Sequence, residues 1–276
     1  VVKRGQVKYI RIVEEVRSPL QKLPNGDYRR DHPDFMKWYA APVDRVSGPY
    51  GWPSYVAKAS HGLVPVEADG SAHFFVPPGK TLFFEALDGN LTQLQRMRSV
   101  VQFQPGEHRS CIGCHESRGS APTIQIPLAF KQPPREPEAP SWGTGAFDYQ
   151  RVVQPVLDAK CVRCHDAKHK RKIDLRGDLD PDRIPESYKT LIRQGWVHVV
   201  DMGYNSGGTE KLPPLSCGTI KSKLVKVLEA GHNDVELTRD EMRRLKCWID
   251  LNCPLWPDYQ YRPDRPARRV AVAPRW

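Results

Sequence analysis

At 276 residues, with 39% hydrophobic and 27% charged side chains, the chain is long enough for one large or two ordinary domains, each with its own core. No apolar run nears the length that spans a bilayer, so the sequence offers no transmembrane segment. The net charge of +10 fits solubility alone or an anionic partner. Nucleic acid is a poor choice for that partner, because no helix-turn-helix, finger or aromatic–basic platform is present.

The opening VVKRGQVKYI has no start Met and no leader, and it reads as the interior of a longer protein. Residues 7–16, VKYIRIVEEV, read as a strand. LPNGDYRRDHP and SGPYGWPS read as loops. GLVPVEA and SAHFFVPPG flank Asp69-Gly70, which predicts a hairpin. TLFFEAL and LTQLQRMRSVVQFQ flank Asp88-Gly89-Asn90, which predicts a second one. Residues 1–130 are therefore expected to be a β-rich domain, with its strands ending near 105.

KQPPREPEAPSWGTG, 131–145, is the richest in Pro and has no periodicity, so it reads as a linker. Residues 146–276 turn helical. A helix over 148–157 leads toward Cys161, with Pro155 expected to kink or shorten it. Over 219–230, Ile220, Leu224, Val227 and Leu228 share one face, Lys221, Lys223 and Lys226 point outward, and Gly231 is a stop. Thr238 and Glu241 make a capping box for a last helix, with Leu237 and Met242 as its staple. Met242, Leu245, Trp248 and Ile249 point inward, and the helix ends before Pro254. The tail beyond it reads as extended.

Two short stretches carry the chemistry. EHRSCIGCHESR holds Cys111, Cys114 and His115, and AKCVRCHDAK holds Cys161, Cys164 and His165. Four cysteines in two CxxC pairs can hold zinc, and a CxxC can be a redox dithiol. Neither reading uses the histidines. With nine His in 276 residues, both pairs being followed by His by chance has odds on the order of one in a thousand. CxxCH is the attachment signature of c-type heme. Two sulfurs add across the two vinyl groups, and the adjacent His supplies the proximal nitrogen to iron. The sequence thus predicts two covalently bound heme c groups, held by Cys111 and Cys114 with His115, and by Cys161 and Cys164 with His165. Covalent attachment of this kind is made outside the bacterial cytoplasm, so the chain is expected to be exported, to the periplasm or an equivalent lumen. An acidic redox protein or a charged surface is the expected anionic partner.

The sixth iron ligand separates a carrier from a catalyst. For the second heme, His232 lies in the loop GHNDVE before the last helix, where a distal ligand is expected. Its bland alternative is a surface His. Met202 is the rival ligand, with His169 and His198 behind it. For the first heme, His61, His73 and His108 lie upstream. His73 falls within a predicted strand, and His108 is too near Cys111 to reach the opposite heme face. An open sixth position there is what a reactive heme needs.

VPVEADGSAHFFVPPG, LFFEALDGN, MRSVVQFQPGEHRSCIGCHE, VVQPVLDAKCVRCH and GHNDVELTRDEMRRLKCWIDLNCP together resemble the middle and C-terminal parts of the alpha subunit of hydrazine synthase and its relatives, over most of residues 60–256. The resemblance implies an α+β chain. A small antiparallel β domain ends in a c-type heme site, and a mainly α cytochrome c-like domain with a bis-histidine heme follows. It implies proximal ligands His115 and His165 and a distal His232. In hydrazine synthase the first heme is catalytic and the second passes electrons. That subunit has a β-propeller ahead of these parts, which this sequence does not include. It also has a Tyr four residues beyond the first proximal His, where this chain has Gly119.

Two functions compete. One is a diheme electron-transfer module in a larger redox complex. The other is a heme oxidoreductase that acts at the first heme on a small nitrogen compound. A zinc-binding interaction protein is the third and weakest. Cys217, Cys247 and Cys253 remain. Export favours a disulfide, and the expected bridge joins Cys217 to Cys247 or Cys253. Cys247 and Cys253 are not expected to pair with each other, since six helical residues rise about 9 Å. Three buried thiols are the bland alternative.

Overall fold

The computed structural model describes residues 2–17, 20–30, 57–97, 99–113, 125–168, 173–181, 183–200 and 212–257. Strands β1 (Tyr9–Glu15), β4 (Lys58–Pro65), β5 (Leu82–Leu87) and β6 (Gln93–Arg96) form a four-stranded antiparallel sheet in the order β4-β1-β5-β6. Strands β2 (Leu20–Lys22) and β3 (Tyr28–Arg30) pair separately. The helices are α1 (Tyr149–Val152), α2 (Gln154–Lys160), α3 (Glu186–Arg193), α4 (Lys223–Glu229) and α5 (Arg239–Asp250), with 3-10 turns at Leu128–Lys131 and Gly218–Lys221. The fold is mixed α+β.

Side chains alternate across a strand, so β1 presents two faces. Ile12 packs with Val64, Leu82 and Phe103 on one side. Val13 and Phe83 pack on the other, in a core that also holds Tyr149, Leu157, Tyr188, Leu191 and Trp248. The sheet is covered on both faces, and the helical half shares its core with one of them. Hydrogen bonds reinforce the joint: Gln93 N donates to Thr219 Oγ1 at 2.9 Å and Leu215 N to Leu94 O at 2.8 Å.

The β4-β1-β5-β6 order keeps the expected strand at 7–16 and the hairpin around Asp88-Gly89-Asn90, though β6 stops at Arg96 and the chain returns to pair Val101 with Leu82. The hairpin expected around Asp69-Gly70 is corrected. The turn forms, with Glu67 N donating to Ser71 O at 2.8 Å, but SAHFFVPPG builds no ladder strand. Instead Phe74 bridges to Arg135, and Ala72, Phe74 and Val76 point into the core around Phe103.

The Pro-rich stretch 131–145 runs alongside β4. Leu63 N donates to Glu138 O at 3.0 Å and Glu138 N returns the bond to Leu63 O at 2.8 Å. Gly62 makes this approach feasible: its φ is +122°, and a Cβ there would lie 2.5 Å from Glu138 O. Pro155 sits in the first turn of α2, where its missing N–H costs nothing, and the expected helix is divided at Val153. The helix expected over 219–230 is shortened to Lys223–Glu229, because Gly218–Lys221 tightens into a 3-10 turn closed by Ser222 Oγ on Gly218 O at 3.0 Å. Gly231, with φ +88°, follows the Ala230 cap of α4 as the expected stop. Thr238 and Glu241 form the expected capping box.

Candidate functional site

The second CxxCH begins where α2 ends. Cys161 N donates to Leu157 O at 2.8 Å, continuing the helical pattern. Cys164 N and His165 N both donate to Cys161 O, at 3.1 and 2.9 Å, so the motif closes into one tight turn. Cys161 is half-buried, and burial pushes its thiol up to about 11. Cys164 is exposed. Leu175 N donates to His165 O at 2.9 Å, which fixes the chain beyond the motif.

His232 comes to this turn from the other side. Its loop joins α4 to α5, and both ends are held. Buried Lys246 donates to Glu229 Oε1 at 2.6 Å, to Asn90 O at 2.7 Å and to Thr92 Oγ1 at 3.1 Å, which fixes the end of α4. The capping box fixes the start of α5, and Lys160 lies 3.7 Å from Glu241, which draws α5 to the motif. Inside the loop Asn233 and Asp234 take φ of +46° and +59°. Backbone in that region is sparsely populated for residues other than Gly and concentrates where a side chain must be aimed.

The outcome is a facing pair of imidazoles. The rings of His165 and His232 have centroids 5.9 Å apart and planes 22° apart. Cys161, Val162, Trp196, Leu224, Leu228 and Leu237 are partly buried against the adjoining core. Among the described residues no group of three or more His, Cys, Asp or Glu is arranged to hold a metal ion.

The first motif has a different setting. It follows Phe103, whose ring lies 5.4 Å from the Arg109 guanidinium, and Cys111, Ile112 and Gly113 are exposed. Cys114, His115 and Gly119 lie outside the described residues, as do Met202 and His169. Of the upstream histidines, His61 Nε2 lies 2.8 Å from Glu14 Oε2, and His108 is exposed. His73 meets the Phe130 ring edge-on at 5.0 Å. His198 is held through its backbone, its N–H donating to Ser222 Oγ at 2.9 Å, and burial together with Lys221 lowers its pKa.

The expected disulfide is corrected. Cys217, Cys247 and Cys253 are buried free thiols. Cys217 Sγ donates to Gln93 Oε1 at 3.5 Å, facing the sheet. Burial pushes Cys247 up to about 11 and raises Cys253 well above an ordinary thiol. α5 ends at Asp250, and Cys253 follows in the left-handed region with φ +55°, its N–H on Trp248 O.

Sequence reasoning missed a buried ionic row. Arg11, Glu85 and Arg96 are register partners on β1, β5 and β6, so they share the face turned to the helices. Asp250 closes the row from α5. The signal was Arg11 and Glu85, charged residues at inward positions between apolar neighbours in β1 and β5.

Residues 5–116 match the family model of the hydrazine synthase alpha subunit middle domain. Over that span the chain is hydrazine synthase alpha-like. A solved structure, Kuenenia stuttgartiensis hydrazine synthase, superposes with a TM-score of 0.61 at 18% identity, over 93% of this chain and 40% of that one. At that identity the likeness is one of fold, and it extends through the helical half. The chain spans 40% of the length of the solved chain it matches. No curated protein matches. Among the described residues no helix is long and apolar enough to cross a membrane.

Proposed function

We propose that the chain is a diheme c-type electron-transfer unit of a larger, exported redox assembly. The observation that carries this is the His165–His232 pair at the turn of a CxxCH motif. Two imidazoles that bind one iron from opposite faces have ring centres on the order of 6 Å apart, given about 2.0 Å of metal–nitrogen bond on each side. The observed 5.9 Å fits that spacing. A six-coordinate heme iron would take two ligands from the protein, whereas a structural zinc site takes four, so a pair of imidazoles at this spacing favours heme over zinc.

On this reading Cys161 and Cys164 would attach the second heme, and His165 and His232 would ligate its iron. Cys111, Cys114 and His115 hold the first. Residues 146–276 then act as a cytochrome c-like domain behind a β domain over 1–130. When bound, the hemes supply one-electron couples. The protein's part is to orient His232 through a pinned loop, to exclude water with Val162, Leu224 and Leu228, and to present charge to a partner. Lys221, Lys223 and Lys226 are exposed on and beside α4 and suit an acidic redox protein.

A second reading makes the first heme a catalytic site for a small nitrogen compound. It draws on the hydrazine synthase family match, which ends at the first motif, and on the exposure of Cys111. Intact mass and pyridine hemochrome spectra test the common core of both readings: two covalent hemes are expected, and the mass of the bare chain would end them. Binding of nitric oxide or carbon monoxide to a five-coordinate first iron separates the second reading from the first.

A further inference from the structure

Glu85 and Asp250 present two carboxylates to one guanidinium nitrogen. Arg11 Nη1 donates to Glu85 Oε2 at 2.7 Å and to Asp250 Oδ2 at 3.0 Å. Arg11 is 2% exposed, and Glu85 and Asp250 are fully buried. The shared nitrogen holds the carboxylates within about 6 Å of each other, where the charge on one opposes ionisation of the other. Their remaining oxygens differ. Asp250 Oδ1 accepts from Thr219 N at 2.9 Å, while Glu85 Oε1 has no hydrogen-bond partner among the described residues. A bare oxygen on a dehydrated carboxylate is costly, and a proton from solvent removes the charge that makes it so.

We propose that Glu85 and Asp250 form a proton-binding site buried between the sheet and α5. One proton comes from solvent and one O–H bond forms on a carboxylate oxygen. The charge of the pair falls from two negative to one, and nothing is oxidised or reduced. The charged and titratable groups facing the pair come from every neighbouring element: Arg11 on β1, Lys58 on β4, Arg96 on β6, Cys217 ahead of the 3-10 turn, Cys247 on α5 and Cys253 just beyond it. The three cations favour the ionised pair; burial and mutual repulsion oppose it. Burial outweighs the pull of Arg11, pushes Glu85 up to about 7, and raises Asp250 as well. The sign follows. Between 4.5, the ordinary glutamate value, and about 7, the folded chain holds a proton that the unfolded chain has released. Stability therefore falls as pH rises through that window.

The site stands whether or not the hemes do, and its test is independent of them. Infrared difference spectra of the full chain, with Glu and Asp carboxyls labelled with 13C to set them apart from any other acid, read the protonated C=O band directly. The expected result is one labelled band that disappears as pH rises through neutrality and is missing in Glu85→Gln. Glu85→Gln should also flatten the decline in stability over the same window. If every labelled carboxyl titrates below about pH 5, as ordinary ones do, the proposal is overturned. It is equally overturned if Glu85→Gln and Asp250→Asn both keep the wild-type pH slope. Should the variants fail to fold, the wild-type band alone decides.

Discussion

The two CxxCH motifs have the same letters and opposite settings. The second sits at the end of α2, against the core that holds Tyr149, Leu157 and Trp248, and its facing histidine is held by Lys246, the α5 capping box and the Lys160–Glu241 pair. The first follows the β half at the surface, where Cys111, Ile112 and Gly113 are exposed. The same motif thus begins once against a packed core and once at the surface. Rigidity around an iron favours electron transfer at fixed ligation, and access favours exchange of ligands.

That contrast can be broken most directly at the cysteines. Replacing Cys161 and Cys164 by Ala should cost far more stability than replacing Cys111 and Cys114, because a heme lost from the second motif would leave the core it packs against unfilled, whereas the first motif stands at the surface. A difference of about 3 kcal/mol or more is expected by denaturant titration of the two double variants. Equal losses would mean that the two motifs are equally peripheral. Next is Gly218→Ala, aimed at the joint behind the second site. Its Cβ would lie 2.4 Å from Gln93 Oε1 and 2.7 Å from Asp250 Oδ1, at a φ of +70°. Overpacking a left-handed position should cost about 3 kcal/mol. A melting temperature within a degree of wild type would refute the close approach.

His232→Ala should change the spectrum of one heme from low-spin to high-spin, or recruit another ligand with a shifted potential, while the other heme's signal is unaltered. An unchanged low-spin spectrum would point to a ligand outside the described residues. Lys246→Met should loosen the His232 loop at a cost of about 1–2 kcal/mol, since Glu229 is 43% exposed and partly screened. Amide exchange over 230–236 should speed up without change at 107–113.

The smallest effect is expected on the side of the sheet away from the helices. Glu14 lies 2.8 Å from His61 and 2.9 Å from Lys80. Burial alone would raise its pKa, but these partners outweigh burial and lower it below the ordinary 4.5. Its stabilisation is thus present above pH 4.5 and lost as pH falls through the lower folded value. Glu14→Gln should be less stable than wild type by about 1 kcal/mol at neutral pH, and the gap should close in acid. A gap that persists in strong acid would assign the effect to packing.

What the sequence determined by itself was local. The CxxCH spacing, the Thr238–Glu241 capping box, the stop at Gly231 and the turn at Asp88-Gly89-Asn90 are each set by residues a few positions apart, so their physics is complete within a short window. The helix Glu186–Arg193 was not singled out, although Tyr188, Leu191 and Ile192 are spaced for one buried face. Tertiary structure decided the rest. SAHFFVPPG has strand letters but points Ala72, Phe74 and Val76 into the core around Phe103 and builds no ladder. Whether Cys217, Cys247 and Cys253 pair or stay free depends on where α5 ends and which face meets the sheet. The meeting of His165 with His232 joins positions 67 residues apart. The Arg11–Asp250 contact joins residues 239 positions apart. Such contacts depend on the shared core that brings their elements together, and no local pattern encodes them.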